Sequence, residues 1–183
     1  MIKGYKKGIG RNVNKELYNI IDILSGENGS FLRENGKINM DIVNNIEKAA
    51  SNLSYKRVTG TSIRNIYNAF KNIEMKINQN YLNLDDLNNE ENLEEVINSK
   101  LNESFLSNKP IIKLLNSKIN YLIARKVSNT RDYDIKKAYY GLYEFIETSI
   151  NVICSPKNDV REFTAFLKVF EAMYGYLDKG VEK

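Results

Sequence analysis

Histidine and tryptophan are absent from this 183-residue chain, and cysteine occurs once. Without histidine the chain lacks the commonest general base and the commonest transition-metal ligand of proteins. The single Cys154 excludes an internal disulfide and a zinc site built within one chain. It follows Ile150-Asn151-Val152-Ile153, a pattern typical of the end of a buried helix.

Long apolar runs and phosphate-binding motifs are also missing. No apolar stretch approaches 18 residues, and the basic N-terminus lacks the apolar core of a signal peptide, so we expect a cytoplasmic protein. The chain has no P-loop or glycine-rich phosphate cradle. A carboxylate cluster for magnesium or glycoside chemistry remains open, but most acids lie in an Asn-rich segment rather than between apolar elements. We therefore expect neither catalysis by this chain nor a cofactor.

Helical periodicity dominates what is present. The chain is 42% hydrophobic and 27% charged, which suits one domain with a sizeable core. Apolar residues recur at helical spacing throughout, which predicts an all-α, single-domain bundle of six to seven helices spanning residues 1–183. Hydroxyls at Thr59, Thr61 and Ser62 are predicted to open the central helix, and Asn158 or Asp159 to cap the last. The predicted helices cover about 13–24, 39–53, 59–77, 90–106, 110–127, 133–153 and 159–178.

Three segments depart from this pattern. Residues 1–11 are rich in Gly and Lys and predict a flexible basic arm. At Asn35-Gly36 we expect a turn; a hairpin is the alternative, although alternating strand residues do not flank it. Residues 78–109 form an acidic, Asn-rich insertion, interpreted as a solvated surface segment or as an acidic tether. Residues 78–108 carry a net charge of −6 against +4 for the whole chain, which leaves +10 on the other 152 residues.

Basic residues recur on the predicted polar flanks of several helices. Such rows suit phosphate and base contacts, but most such rows in proteins are ordinary solvated faces. Tyr121 is also explained by packing at the core edge, and Tyr140 and Tyr143 by a helix contact. The rows are Arg64, Asn68 and Lys71; Lys118, Tyr121 and Arg125; Lys136, Tyr140 and Tyr143; and Arg161, Ala165, Lys168, Ala172 and Lys179.

Three motifs resemble one known family. Val58-Thr59-Gly60-Thr61-Ser62-Ile63-Arg64 resembles the helix start in the small subunit of type III-A CRISPR effectors, the Csm complex. Residues 166–176 resemble that family's closing helix, with its aromatic, basic residue, Glu-Ala pair and late Tyr. Lys118, Tyr121 and Arg125-Lys126 resemble its basic-Tyr-Arg helix. Gly60 and Ser62 depart from the family pattern, and residues 1–50 and 78–109 are longer than usual.

The resemblance implies a non-catalytic subunit in an antiviral ribonucleoprotein. Copies would stack head to tail along the channel that holds guide and target RNA, and would contact the backbone without sequence specificity; single-stranded DNA is a further possible ligand. Other Csm subunits would be its partners and would carry out cleavage, and no membrane is involved. The expected nucleic-acid-binding residues are Arg64, Lys71, Lys118, Tyr121, Arg125, Lys126, Arg131, Lys136, Arg161 and Lys168.

Two other functions fit the residues without the resemblance. Thr61-Ser62-Ile63-Arg64 suits the start of a recognition helix in a stand-alone DNA-binding regulator. The second alternative is a structural helical adaptor whose basic flanks meet an acidic protein partner. Sequence-selective binding to duplex DNA would support the regulator, whereas complexes that nuclease does not loosen would support the adaptor.

Overall fold

The computed structural model describes residues 6–79 and 93–177, which form a six-helix bundle. The helices are α1 (Lys15–Ser25), α2 (Met40–Tyr55), α3 (Gly60–Gln79), α4 (Leu93–Ser128), α5 (Tyr133–Ile153) and α6 (Val160–Leu177). No strand occurs in these two ranges, where an isolated antiparallel bridge joins Leu32 to Ile38. The all-α prediction is confirmed. No described helix is long and apolar enough to cross a membrane.

Short polar side chains start α1, α2, α3, α5 and α6, and the sequence predicts such groups for α3 and α6. Asn14 caps α1 by accepting from the Leu17 amide, and Asn39 caps α2. The Thr59 hydroxyl accepts from the Ser62 amide at 3.3 Å, and Asp132 accepts from two amides of the first turn of α5. Asp159 accepts from the Arg161 amide at 2.9 Å. These bonds satisfy amides that have no partner within their own helix.

An aromatic cluster forms the centre of the core. Phe166 on α6 packs edge-on against Phe70 at 4.8 Å and Phe31 at 5.6 Å between ring centroids, and it stacks with Phe170 at 5.5 Å. All four rings are fully buried. The apolar face predicted for α6 is therefore core, although Ala165, predicted on its polar side, is also buried.

Helix α5 is buried on nearly all sides. Tyr140 and Tyr143, one possible aromatic-basic row, are 5% and 4% exposed, so the packing interpretation was right for them. Tyr143 accepts from Asn120 and donates to Glu147. Gly141 lies against α1, where an added Cβ would be 3.4 Å from the Tyr18 ring.

Helix α4 runs unbroken through Pro110, so the prediction of two separate helices was wrong. Proline lacks the amide that would bond the Leu106 carbonyl, an absence that normally ends or kinks a helix. Buried Phe105 and Ile112 anchor α4 in the core on both sides of this defect. Ile111, next to the proline, is 41% exposed.

The segment between α1 and α2 folds back on itself around Gly36. The Gly36 amide donates to the Arg33 carbonyl at 2.8 Å, and Gly36 has a φ of +75°. The segment is a tight turn with a single bridge rather than a hairpin of strands. Its base is held by the buried carboxylate of Glu162, which accepts from the Phe31 amide and from Ser30 Oγ.

Residues 6–13 are docked on the bundle, which composition alone did not indicate. The Gly8 amide donates to the Glu144 carboxylate at 2.9 Å, and Tyr18 Oη donates to the same carboxylate at 2.7 Å. Burial raises the pKa of Tyr18, so its phenol stays neutral. Residues 1–5 of the predicted arm, residues 80–92 of the predicted insertion, Asp178 at the predicted end of the last helix and Lys179 of a predicted row lie outside the described residues.

The connections divide the bundle into two ends. We call one the basic end: it contains the α2–α3 turn (56–59), the α4–α5 turn (129–132) and the helical turns beside them. Lys56 Nζ bonds Asp134 at 3.0 Å and Arg64 Nε bonds Tyr174 Oη at 2.6 Å across this end. The opposite end contains residues 26–39 and the α5–α6 turn (154–159), joined through Glu162.

Candidate nucleic-acid interface

A tight turn brings the end of α4 beside the start of α5. Ser128 Oγ donates to the Arg125 carbonyl at 2.9 Å, which satisfies one of the free carbonyls at the end of α4. Thr130 Oγ1 accepts from the Asp132 amide at 3.3 Å, and Asp132 then caps α5. The cations in the last turn of α4 are thereby placed close to those in the first turn of α5.

A groove between α4 and α5 joins two of the predicted rows. Its volume is about 620 Å³, and α4 lines it with Tyr121 and Arg125, while α5 contributes Lys136 and Tyr140. Tyr121 is 66% exposed, so its ring is open to solvent, whereas Tyr140 is buried in the floor. Burial raises the pKa of Tyr140. The groove thus combines cations with one accessible aromatic ring, which are the elements of a surface for single-stranded nucleic acid.

A narrower cleft lies on the other side of Arg125, between α3, α4 and α5. Its volume is about 340 Å³. Exposed Arg125 and Lys126 lie on its rim with the amides of Asn65 and Asn129. The remaining lining residues are Ser62, Ile66, Leu122, Ile123, Tyr139 and Leu142. Arg125 therefore belongs to both depressions.

The few acids at this end are already engaged. Asp134 pairs with Lys56 at 3.0 Å and approaches Lys137 at 3.8 Å. The hydrogen bond from Lys56 lowers the pKa of Asp134, so this carboxylate stays ionised at neutral pH. Arg125 and Lys126 form no ion pair with an acid in residues 6–79 or 93–177, and both also complement the negative end of the α4 dipole. Their positive charge is available to an external anion.

Two further predicted residues extend the same region. Lys118 is exposed on α4 one turn before Tyr121, and Arg131 is exposed in the α4–α5 turn. Neither lines the groove or the cleft. Both are close in the chain to residues that line these depressions.

Three predicted residues lie on the α3–α6 side instead. Arg64 stays exposed while its guanidinium bonds Tyr174 Oη and lies 5.4 Å from that ring centre. Lys71 pairs with Glu74, and this hydrogen bond raises the pKa of Lys71. Lys168 is exposed on α6. The structure therefore does not bring this group into the groove or the cleft.

Arg161 lies at the opposite end of the bundle. It pairs with Asp159 at 2.7 Å and lines a depression shared with Glu34 and Glu162. Its surroundings differ from those of the α4–α5 groove, because acids lie around it together with Arg33 and Lys157.

Several residues of the basic end are absent from the predicted set. Asn65 and Asn129 are isolated polar residues and Tyr139 falls at an apolar position of its helix, so these three carry no signal in the sequence. Arg57 follows α2 with a φ of 60°, a conformation that usually selects glycine. Its amide donates to the Ser54 carbonyl and that of Val58 to the Leu53 carbonyl, a helix ending in which glycine normally occupies position 57. An arginine after a helix, where glycine is expected, is the signal that could have identified it.

In the described part of the chain, no three His, Cys, Asp or Glu residues come together in a metal-binding group.

The fold and the surface together define a class: an all-helical, single-domain protein with a cationic surface suited to an anionic polymer.

A model of the Csm2 Type III-A family matches residues 37–177, which include α2 to α6. The chain belongs to this family, the small subunits of the type III-A CRISPR Csm complex. No curated protein and no solved structure matches the chain. Helix α1 and the segment before it lie outside the family match.

Proposed function

We propose that the basic end contacts the RNA backbone inside the type III-A ribonucleoprotein, without reading sequence and without catalysis by this chain. The observation that carries the proposal is the meeting of Tyr121, Arg125 and Lys136 in one groove. Arg125 and Lys126 are exposed and have no described acid partner, as phosphate-binding cations require. Within a family whose members assemble with guide RNA, an anionic polymer is the natural occupant.

Backbone contact is sufficient because base pairing with the guide reads the target sequence. The protein then needs cations for phosphate and an accessible ring for stacking, and neither requires a particular base. Lys118 and Arg131 would continue the contact along the strand. Arg64, Lys71 and Lys168 form a second, weaker candidate surface, because Arg64 and Lys71 already have protein partners.

We also propose that copies of the chain stack head to tail. The support is the unequal charge balance of the two ends: Arg125 and Lys126 at the basic end have no acid partner among the described residues, whereas at the opposite end Arg33 pairs with Asp41 and Arg161 with Asp159. Two basic ends repel each other, so contact between a basic end and the opposite end of the next copy is favoured over head-to-head contact. Other Csm subunits would complete the channel.

Co-purification of the tagged full chain from its native host tests the proposal. We expect other Csm subunits and short guide RNAs to be recovered, and ultraviolet cross-links between RNA and peptides of the α4–α5 turn. Recovery of the subunits with cross-links only to other chains would overturn the RNA-contact proposal. Complexes unchanged by nuclease, with no RNA recovered, would favour the structural adaptor.

A further inference from the structure

The cleft between α3, α4 and α5 has an apolar floor and a polar rim. Ile66, Ile123 and Leu142 form the floor and are buried in the core. The rim amides of Asn65 and Asn129 are exposed. Ligand sites commonly combine an apolar lining with a few polar groups, and their volumes begin at roughly 300 Å³. The cleft, at about 340 Å³, falls at the lower end of that range.

Two cations on the same rim specify the ligand further. Arg125 and Lys126 favour an anionic group at the mouth, while the apolar floor favours a flat, weakly polar group beneath it. A nucleotide has both parts, since its base presents apolar faces and polar edges and its phosphate carries the charge. An apolar side chain of a partner protein would fit the floor, but it would leave the rim cations and amides without partners.

The position of Arg125 connects the cleft to the proposed RNA path. Arg125 lines both the cleft and the α4–α5 groove, so a strand that follows the groove passes the mouth of the cleft. We infer that the cleft holds one unstacked nucleobase of a bound single-stranded RNA segment, with the adjacent phosphate at Arg125 and Lys126. The inference rests on the proposed function and adds a base contact to it.

The side-chain amides at the rim determine how selective the base contact is. Asn65 and Asn129 each offer a donor and an acceptor, which can bond the edge of any base in a suitable orientation. Two exposed amides, one on α3 and one after α4, give a preference for the presence of a base rather than for one identity. The contact therefore remains compatible with sequence reading by the guide.

Mononucleotide binding to the isolated full chain is the first test. We expect AMP and UMP at millimolar concentration to shift NMR signals of Ser62, Asn65 and Asn129, and ribose 5-phosphate at equal concentration to leave the two asparagine side chains unshifted. Equal shifts from all three compounds, or shifts confined to other surfaces, would overturn the inference.

RNA with and without bases supplies the second test. For the wild type we expect an oligouridylate to bind roughly tenfold more tightly than an abasic strand of equal length. Asn65→Leu, which fills the rim, should reduce this ratio, whereas the matched control Asn68→Leu on the exposed side of α3 should retain it. A ratio unchanged by Asn65→Leu overturns the base site, while tight binding of the abasic strand still supports the proposed function. Failure of both strands to bind, free or in the complex, refutes the proposed function itself.

Discussion

The two ends of the bundle both carry cationic side chains in their turns but use them differently. At the opposite end, Arg33 pairs with Asp41 at 3.2 Å and Arg161 with Asp159 at 2.7 Å. At the basic end, Arg125 and Lys126 have no acid partner among the described residues. Helical spacing alone does not separate Arg125 from Arg161, although only Arg125 lies in a motif that resembles the family. The local balance of acids, which depends on how the turns pack, separates them.

Both ends of the bundle depend on one hydrophobic core, and a cavity in that core should give the largest change in stability. Phe166 is fully buried among three aromatic rings. We expect Phe166→Ala to lower the free energy of unfolding by about 3–5 kcal/mol through the cavity it leaves. Chemical denaturation measures this decrease, and Phe166→Leu, which retains most of the volume, should cost clearly less. Failure to assemble into the complex at unchanged stability would instead make Phe166 an interface residue.

Charge reversal compares the two ends directly. We expect Arg125→Glu combined with Lys126→Glu to weaken RNA retention roughly tenfold or more, because two cations leave the path of the backbone. The slope of log affinity against log salt should become shallower by about 0.7 for each phosphate of a single strand that is no longer neutralised. Filter binding or fluorescence anisotropy over a salt series measures both quantities.

Arg161→Glu is the matched control at the opposite end. Arg161 already pairs with Asp159, so its reversal should leave the RNA affinity and its salt slope nearly unchanged. The double variant changes the net charge by −4 and Arg161→Glu by −2, so a decrease in log affinity about half as large for Arg161→Glu would mean that net charge alone determines binding. Circular dichroism should show the same helix content throughout, since all three positions are exposed.

Sequence reasoning located the helices because their apolar residues are periodic, and a periodic signal is local. The predicted break at Pro110 is wrong because Phe105 and Ile112 on its two sides are buried in the core, where Phe105 stacks with Phe163 of another helix. Likewise, Lys118, Tyr121 and Arg125 were found as a row on one helix. Their meeting with Lys136, and the cleft completed by Asn65, depend on pairing between distant segments. Local patterns do not encode that pairing.

The opposite end also differs from the basic end in containing the buried carboxylate of Glu162, which should make stability depend on pH. Burial raises the pKa of Glu162 above its unfolded value near 4.5. The folded state then holds the proton more tightly than the unfolded chain, so stability falls as pH rises from the unfolded pKa through the folded one. Glu162→Gln should remove this contribution while retaining an acceptor for the Phe31 amide. Denaturation curves between pH 4 and 8 that keep the same slope for both proteins would contradict it.

Arg57 gives the smallest expected change in stability, and its sign is informative. Its left-handed backbone suits glycine, so Arg57→Gly should raise the free energy of unfolding by up to about 1 kcal/mol. The same change removes an exposed cation from the basic end and should weaken RNA binding. Arg57→Lys keeps the charge and the strained backbone, and should leave both quantities near wild type.

The pair of variants separates two explanations of why an arginine occupies a glycine position. If charge at the basic end matters, the glycine variant is more stable and binds RNA several-fold less tightly, with a smaller salt slope. If Arg57→Gly is more stable but binds RNA with unchanged affinity, Arg57 lies outside the RNA path. The RNA contact would then be restricted to the α4–α5 turn and the helical turns beside it. Thermal unfolding and anisotropy on the same preparations distinguish these outcomes, because a contact with RNA cannot alter the stability of the free chain.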